Sequence, residues 1–305
     1  MHQPQRILPY LALVTGVICL SLSSIFIRWS QAPGVVTSFF RMGIATTVLA
    51  PFFLGKTPQV KLMKGLLWLA PVLAGLFAAL DQAIWSTSIG FTRVANATLL
   101  NNTAPIWVAL AAAFLFGEQL KSVFWIGLVL AMGGAGVVLG SDVVSQPNIS
   151  WGDFLALVSS FFYAAYYLAM QVGRRRLSPL LFMGLANTIA CLVLFAICLV
   201  THQPLTGFNA QTYLIFFGAA LISQVCGHLS LSYALGHLPA SLVAPTMIAQ
   251  PVLTALLAIP LFGEILYPGQ WIGGISVLAG IFLVHNGRRL GIGSMPGLLK
   301  RKMSV

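Results

Sequence analysis

Pro105–Gly127, "PIWVALAAAFLFGEQLKSVFWIG", returns half a chain later as Pro251–Gly273, "PVLTALLAIPLFGEILYPGQWIG". The offset of 146 residues holds without a gap, and 12 of the 23 aligned positions are identical. Leu and Ala matches come easily in an apolar chain. A match of Glu118 with Glu264 does not, because the whole sequence holds five acidic residues. The duplication extends upstream at the same offset, where Trp85–Leu99 aligns with Leu231–Pro245 and Gly90 falls on Gly236. Nearer the N-terminus, Leu11–Val14 recurs as Leu155–Val158 at an offset of 144. The chain reads as one unit written twice.

Composition says what the unit is. The 305 residues are 58% hydrophobic and 7% charged, with mean hydropathy +0.93. A soluble domain carries roughly 25% charged residues, so this chain cannot cover a water-facing surface and belongs in a bilayer. A spanning helix needs about 20 apolar residues. Ten runs qualify: 7–27, 35–54, 65–88, 94–115, 122–139, 151–171, 179–200, 210–235, 240–262 and 267–285. The connections are short and leave no room for a soluble domain. The polar, turn-rich stretch Gly140–Ser150, "GSDVVSQPNIS", separates five spans from five. The expected organisation is a first five-helix repeat at 1–145, a second at 146–290 and a basic tail at 291–305.

The net charge of +11 would suggest nucleic acid on a soluble face. Here the basic residues sit at the ends of apolar runs, which is the pattern of membrane orientation, so no nucleic-acid partner is expected. With the N-terminus in the cytoplasm, 13 of the 16 Lys and Arg fall inside, among them Arg174, Arg175, Arg176, Arg288 and Arg289. Arg28, Arg41 and Arg93 fall on or near the outer side. Both termini are therefore expected in the cytoplasm. Five is odd, so the second repeat enters the membrane from the opposite side to the first. The expected fold is an all-α polytopic membrane protein of ten transmembrane helices in two inverted repeats, an architecture that gives secondary transporters two conformations around one central site.

Other classes are excluded by what is missing. Cys19, Cys191, Cys198 and Cys226 lie inside apolar runs with no metal-like spacing, so neither disulfides nor zinc are expected. The first apolar run follows Arg6 without a small-residue cleavage site and reads as a retained span. No HExxH, GxSxG, Walker sequence or paired carboxylates are present, so neither an enzyme nor an ATP-driven pump is expected, and no cofactor.

The doubled "FGE" ending a Pro-containing span, the W-I-G start of the next, and ten spans in two halves resemble the drug/metabolite transporter superfamily, and within it the EamA-type ten-helix exporters. The resemblance covers nearly the whole chain. It implies a central cavity between the halves and export of amino acids, other metabolites or drugs from the bacterial cytoplasm, in some members coupled to protons or to exchange. The expected function is a secondary carrier in the inner membrane that exports a small organic substrate by alternating access, as a monomer or weak homodimer among membrane lipid. A flippase for lipid-linked groups is the alternative, and a passive channel or intramembrane enzyme fits less well.

Candidate path residues are the polar and aromatic groups within the spans. Pro105 and Pro251 occupy equivalent positions, and each removes a backbone donor and should bend its helix. Beside them lie Asn101, Asn102 and Thr103, and Thr246 and Gln250, which face a wet cavity or make interhelical hydrogen bonds. Tyr163, Tyr166, Tyr167 and Met170 share one helical face. With Phe77, Trp85 and Trp107 they form either an aromatic pocket for an amphipathic or cationic substrate or a packed seam. Glu118 and Glu264 read as helix-end contacts, and "GGAG" (Gly133–Gly136) and "GGIS" (Gly273–Ser276) as packing or dimer surfaces. Three groups are candidates for charge coupling: His228, read as near the cytoplasmic side, and Arg41 with Asp81. Those two lie at matching depth, roughly 9–10 Å below the outer surface, where pairing is the economical arrangement. At the repeat offset they map to Asn187 and Gly227, so the pair exists in one half only. That asymmetry favours a functional role over a fixed salt bridge.

Overall fold

The computed structural model describes residues 4–55, 66–140, 150–263 and 265–289. Glu264, the basic tail and most of the expected linker lie outside the described residues. Among those described, every regular element is a helix, and ten helices are long and apolar enough to cross a membrane. They are, as spans 1 to 10, Ile7–Ser30, Gly34–Phe53, Trp68–Ser88, Val94–Phe116, Ser122–Leu139, Trp151–Arg174, Pro179–Val200, Ala210–Leu235, Ala240–Phe262 and Pro268–Gly287. An apolar run in lipid has to satisfy its own backbone groups, and the helix does that within one segment.

The repeated "FGE" proves to be a helix stop. Gly117 and Gly263 take left-handed φ of +65° and +66°, where only glycine is free of strain. The Glu118 N–H reaches back to the Ala112 carbonyl at 3.0 Å, closing span 4 with a wide reverse turn. Span 6 opens on a reciprocal cap between Ser150 and Asp153.

Packing repeats as the sequence does. Span 3 lies along spans 6 and 7, and its repeat mate, span 8, lies along spans 1 and 2. Each half's first span thus packs against the other half's third. Spans 5 and 10 form the tightest pair. A Cβ on Gly127 would come within 2.6 Å of the Gly280 carbonyl oxygen, and one on Gly273 within 2.7 Å of the Gly134 carbonyl oxygen. Gly127 and Gly273 are mates, as are Gly134 and Gly280. This crossed arrangement is what a two-fold relation between the halves produces. Gly134 and Gly273, one from each small-residue pattern, are therefore spent on packing within the chain.

The spans that carry Pro105 and Pro251 are interrupted rather than bent. Span 4 is two helices, Val94–Asn101 and Ala104–Phe116, and span 9 is Ala240–Thr246 and Ala249–Phe262. Pro105 and Pro251 sit in the first turn of the second piece, where a missing N–H costs nothing. The expected bend is therefore a break just upstream of each proline. Span 8 departs differently, with a π-helical segment at Ala220–His228 between two α-helical pieces.

Candidate functional site

The π segment and the aromatic face of span 6 converge on one cavity of about 20 Å³, the room of about one water molecule. Spans 2, 3, 6, 7 and 8 line it. Three lining pairs are repeat mates: Arg41 with Asn187, Ala78 with Gln224, and Gln82 with His228. A cavity lined by both members of such pairs lies on the pseudo-two-fold axis relating the halves.

Arg41 and Asp81 are each 4% exposed and both line this cavity. Their expected direct pairing gives way to a bridge. The side-chain oxygen of Gln82 accepts from Arg41 Nη2 at 3.2 Å, while its amide nitrogen donates to Asp81 Oδ2 at 3.3 Å. The same oxygen accepts from Ser38 at 2.9 Å, and Arg41 Nη1 donates to Ser23 at 2.7 Å. Asn101, at the end of the first piece of span 4, donates to Asp81 Oδ1 at 2.8 Å and to Ser159 at 2.8 Å. The break in span 4 is thus tied directly to the buried carboxylate. Asn102 and Thr103 form the break itself, and Thr103 bonds Ser160 at 2.9 Å.

His228 does not lie apart near one surface. It ends the π segment, lines the same cavity, and its Nδ1 meets the Tyr166 hydroxyl at 3.1 Å. Tyr163 and Tyr167 bond to each other at 2.9 Å, and Gln250 of span 9 interacts with the Tyr163 hydroxyl. Tyr163 and Tyr166 line the cavity, whereas Tyr167 and Met170 are buried in the adjoining core. The same core takes Phe77 and Trp107 against its margin, yet Phe77 meets Phe162 at a tilt and Trp107 stacks on Phe161, rather than on the tyrosines. Trp107 also donates to Ser160 at 2.9 Å. Trp85 stands near the end of span 3 and is not among the rings packed against this core. Thr246 turns to span 10, bonding His285 at 2.9 Å.

The halves also touch at both ends of the assembly. On the side of span 1's start, Ser241 donates to Glu118 across the halves at 2.5 Å, and within the second half Gln171 accepts from the Ala240 N–H at 2.5 Å. Arg174 there binds the carbonyls of Ser232 and Leu177. On the opposite side, Thr92 donates to Asp153 at 2.7 Å. Among the described residues no cluster of His, Cys, Asp or Glu suited to a metal is found.

Comparison with known proteins settles the family. The model of the EamA-like transporter family matches residues 7–140 and again 150–285. The chain belongs to the EamA-like transporter family. An uncharacterized transporter of Methanothermobacter thermautotrophicus is 23% identical over 93% of this chain and 88% of its own length. Another, from Synechocystis sp., is 25% identical over 90% and 91%. A solved crystal structure superposes with a TM-score of 0.75 at 18% identity, covering 92% of this chain and 98% of the other, which shows a shared fold. The chain is thus a multi-pass membrane transporter of that family.

Gln82, Asn187 and Gln224 were not singled out from the sequence as site residues. A signal for two of them was present. Asn187 is the mate of Arg41, and Gln82 the mate of His228, so following each charged candidate to its partner position finds both.

Proposed function

We propose that this chain is a secondary carrier that exports a small organic metabolite from the bacterial cytoplasm by alternating access at the axial cavity. The distribution of Lys and Arg supports an inner-membrane protein with both termini on the cytoplasmic side. The observation that carries the reading is the set of three repeat-mate pairs around one closed cavity. Two halves that exchange conformations about such an axis open the same groups first to one side and then to the other. The exchangeable units are the repeats at 1–145 and 146–290. The breaks at Asn102–Thr103 and Met247–Ile248 supply hinges, and the contacts at Glu118–Ser241 and Thr92–Asp153 supply the closures. Arg41, Asp81 and His228 are the groups through which proton coupling or exchange acts.

A groove of about 600 Å³ on spans 2, 7 and 8 gives the flippase reading one observation in its favour. Its lining holds no charged residue, so it suits an acyl chain and offers nothing to a lipid headgroup. Purified protein in liposomes preloaded with candidate metabolites decides the matter. Saturable counterflow of a labelled solute supports a carrier. Unsaturable flux supports a channel, and scrambling of a labelled lipid without solute counterflow supports a flippase.

A further inference from the structure

Three buried polar atoms at the cavity have no partner among the described residues: Arg41 Nε, Asn187 Nδ2 and Gln224 Oε1. The side chains that carry them are 4%, 2% and 2% exposed. Gln224 donates to Asn187 Oδ1 at 2.8 Å, which uses one donor and one acceptor of the two amides. Asp81, by contrast, is satisfied, with Asn101 on one oxygen and Gln82 on the other. Buried donors without partners are costly, and a buried cation without an anion is more so. The uncompensated groups on the cavity wall are therefore a guanidinium N–H, an amide donor and one amide acceptor.

From this arrangement we propose that the transported molecule carries a carboxylate that binds between Arg41 of the first half and Asn187 of the second. The reading rests on the carrier assignment above and names the chemistry of its site. A carboxylate offers two acceptor oxygens, one for each donor, and supplies the negative charge that Arg41 lacks in direct contact. A cation would meet the guanidinium instead and be repelled. The Gln224 oxygen accepts from a hydroxyl or N–H next to the carboxylate. The remainder of the molecule lies against Tyr163 and Tyr166, which form the aromatic wall of the same cavity. In the closed form the cavity admits little more than one oxygen atom, so binding needs the halves to part. The carboxylate then bridges them, and its grip depends on their relative position.

The test uses full-length protein in detergent and a panel of small monocarboxylates, from acetate to benzoate and 3-phenylpropionate, each beside its primary amide. The expected result is that at least one carboxylate raises the melting temperature in a saturable way while its amide does not. In Arg41→Gln and in Asn187→Leu the apparent affinity should fall by about tenfold to a hundredfold, the loss expected for a charge-assisted hydrogen bond. Asn187→Leu removes no charge and keeps the volume, so it remains informative should Arg41→Gln fail to fold. The proposal is overturned if no carboxylate stabilises the wild type, if amides act equally, or if Asn187→Leu binds as the wild type does. Counterflow confined to cationic or uncharged solutes would also sink it while leaving the carrier reading intact. Saturable carboxylate binding without any counterflow would do the reverse.

Discussion

Replacing Gly127 with Ala tests the two-fold relation between the halves where it is tightest. The added methyl would lie 2.6 Å from the Gly280 carbonyl oxygen and 2.8 Å from both the Leu283 Cβ and the Val284 nitrogen. Ordinary contact begins near 3.4 Å, so spans 5 and 10 would have to part by about 0.8 Å. Two of the three obstacles are backbone atoms, which cannot rotate away. Overpacking of this kind costs about 1–3 kcal/mol, against a gain of up to about 1 kcal/mol from replacing glycine inside a helix. Gly134→Ala faces the same obstruction, with the Val277 nitrogen at 2.8 Å and the Ser276 Cβ at 2.9 Å. Gly133 is the control, because a Cβ there meets nothing within 4 Å. At about 2–4 °C per kcal/mol, Gly127→Ala and Gly134→Ala should each melt several degrees below Gly133→Ala. Melting curves of the three variants in the same detergent provide the comparison. Equal melting temperatures would refute the close axial contact and the two-fold arrangement drawn from it.

Pro105→Ala and Pro251→Ala restore a backbone donor just beyond each helix break, letting the two pieces join. Each variant should reach the membrane normally and transport more slowly in liposomes; unchanged rates in both would remove the hinge role. Asp81→Asn keeps the shape of a side chain that accepts from Asn101 and Gln82. Normal membrane levels with loss of pH-dependent or substrate-driven transport are expected, and wild-type rates with an unchanged pH profile would reduce Asp81 to packing. In a background without native cysteines, an impermeant thiol reagent on intact cells should label a cysteine at Gln146 and spare one at Arg176. The opposite pattern would invert the proposed topology.

The fold was legible because lipid imposes a simple code. Ten apolar runs, basic residues at their ends and one duplicated passage left little freedom, and the spans fall within three residues of their expected bounds. The local departures were harder to see for physical reasons. Proline marks the first turn of a helix as readily as a kink inside one, so Pro105 and Pro251 located the disturbance and not its form. The π segment at Ala220–His228 carries no periodic signal, since one extra residue per turn leaves composition untouched. In the site, Arg41, Asp81 and His228 stood out because ionisable groups are rare in spans. Gln82, Asn187 and Gln224 did not, since a lone amide reads equally well as an interhelical bond. Trp85 and Thr246 were grouped with the path by membership of the right spans, but helical phase sends Thr246 to His285 and leaves Trp85 near the end of span 3.

The one-sided charges now divide into two cases. The mate of Asp81 is Gly227, where a Cβ would meet the Leu20 Cγ at 3.1 Å and the Cys19 Cβ at 3.2 Å. Close packing of span 1 against span 8 keeps a carboxylate out of that position, so the absence of a second Asp needs no functional cause. The mate of Arg41 is different. Asn187 lines the cavity itself, on the same axis and with an unpartnered donor of its own. There the two halves present the same hydrogen-bonding sense, donor facing donor, and differ in charge alone. A symmetric scaffold with equal groups would hold its ligand alike in either facing state. One guanidinium opposite one amide makes the two states unequal, because the cation stays with the first half as the halves exchange shape. Under the carrier reading, that inequality, rather than a salt bridge, is what the single buried arginine contributes.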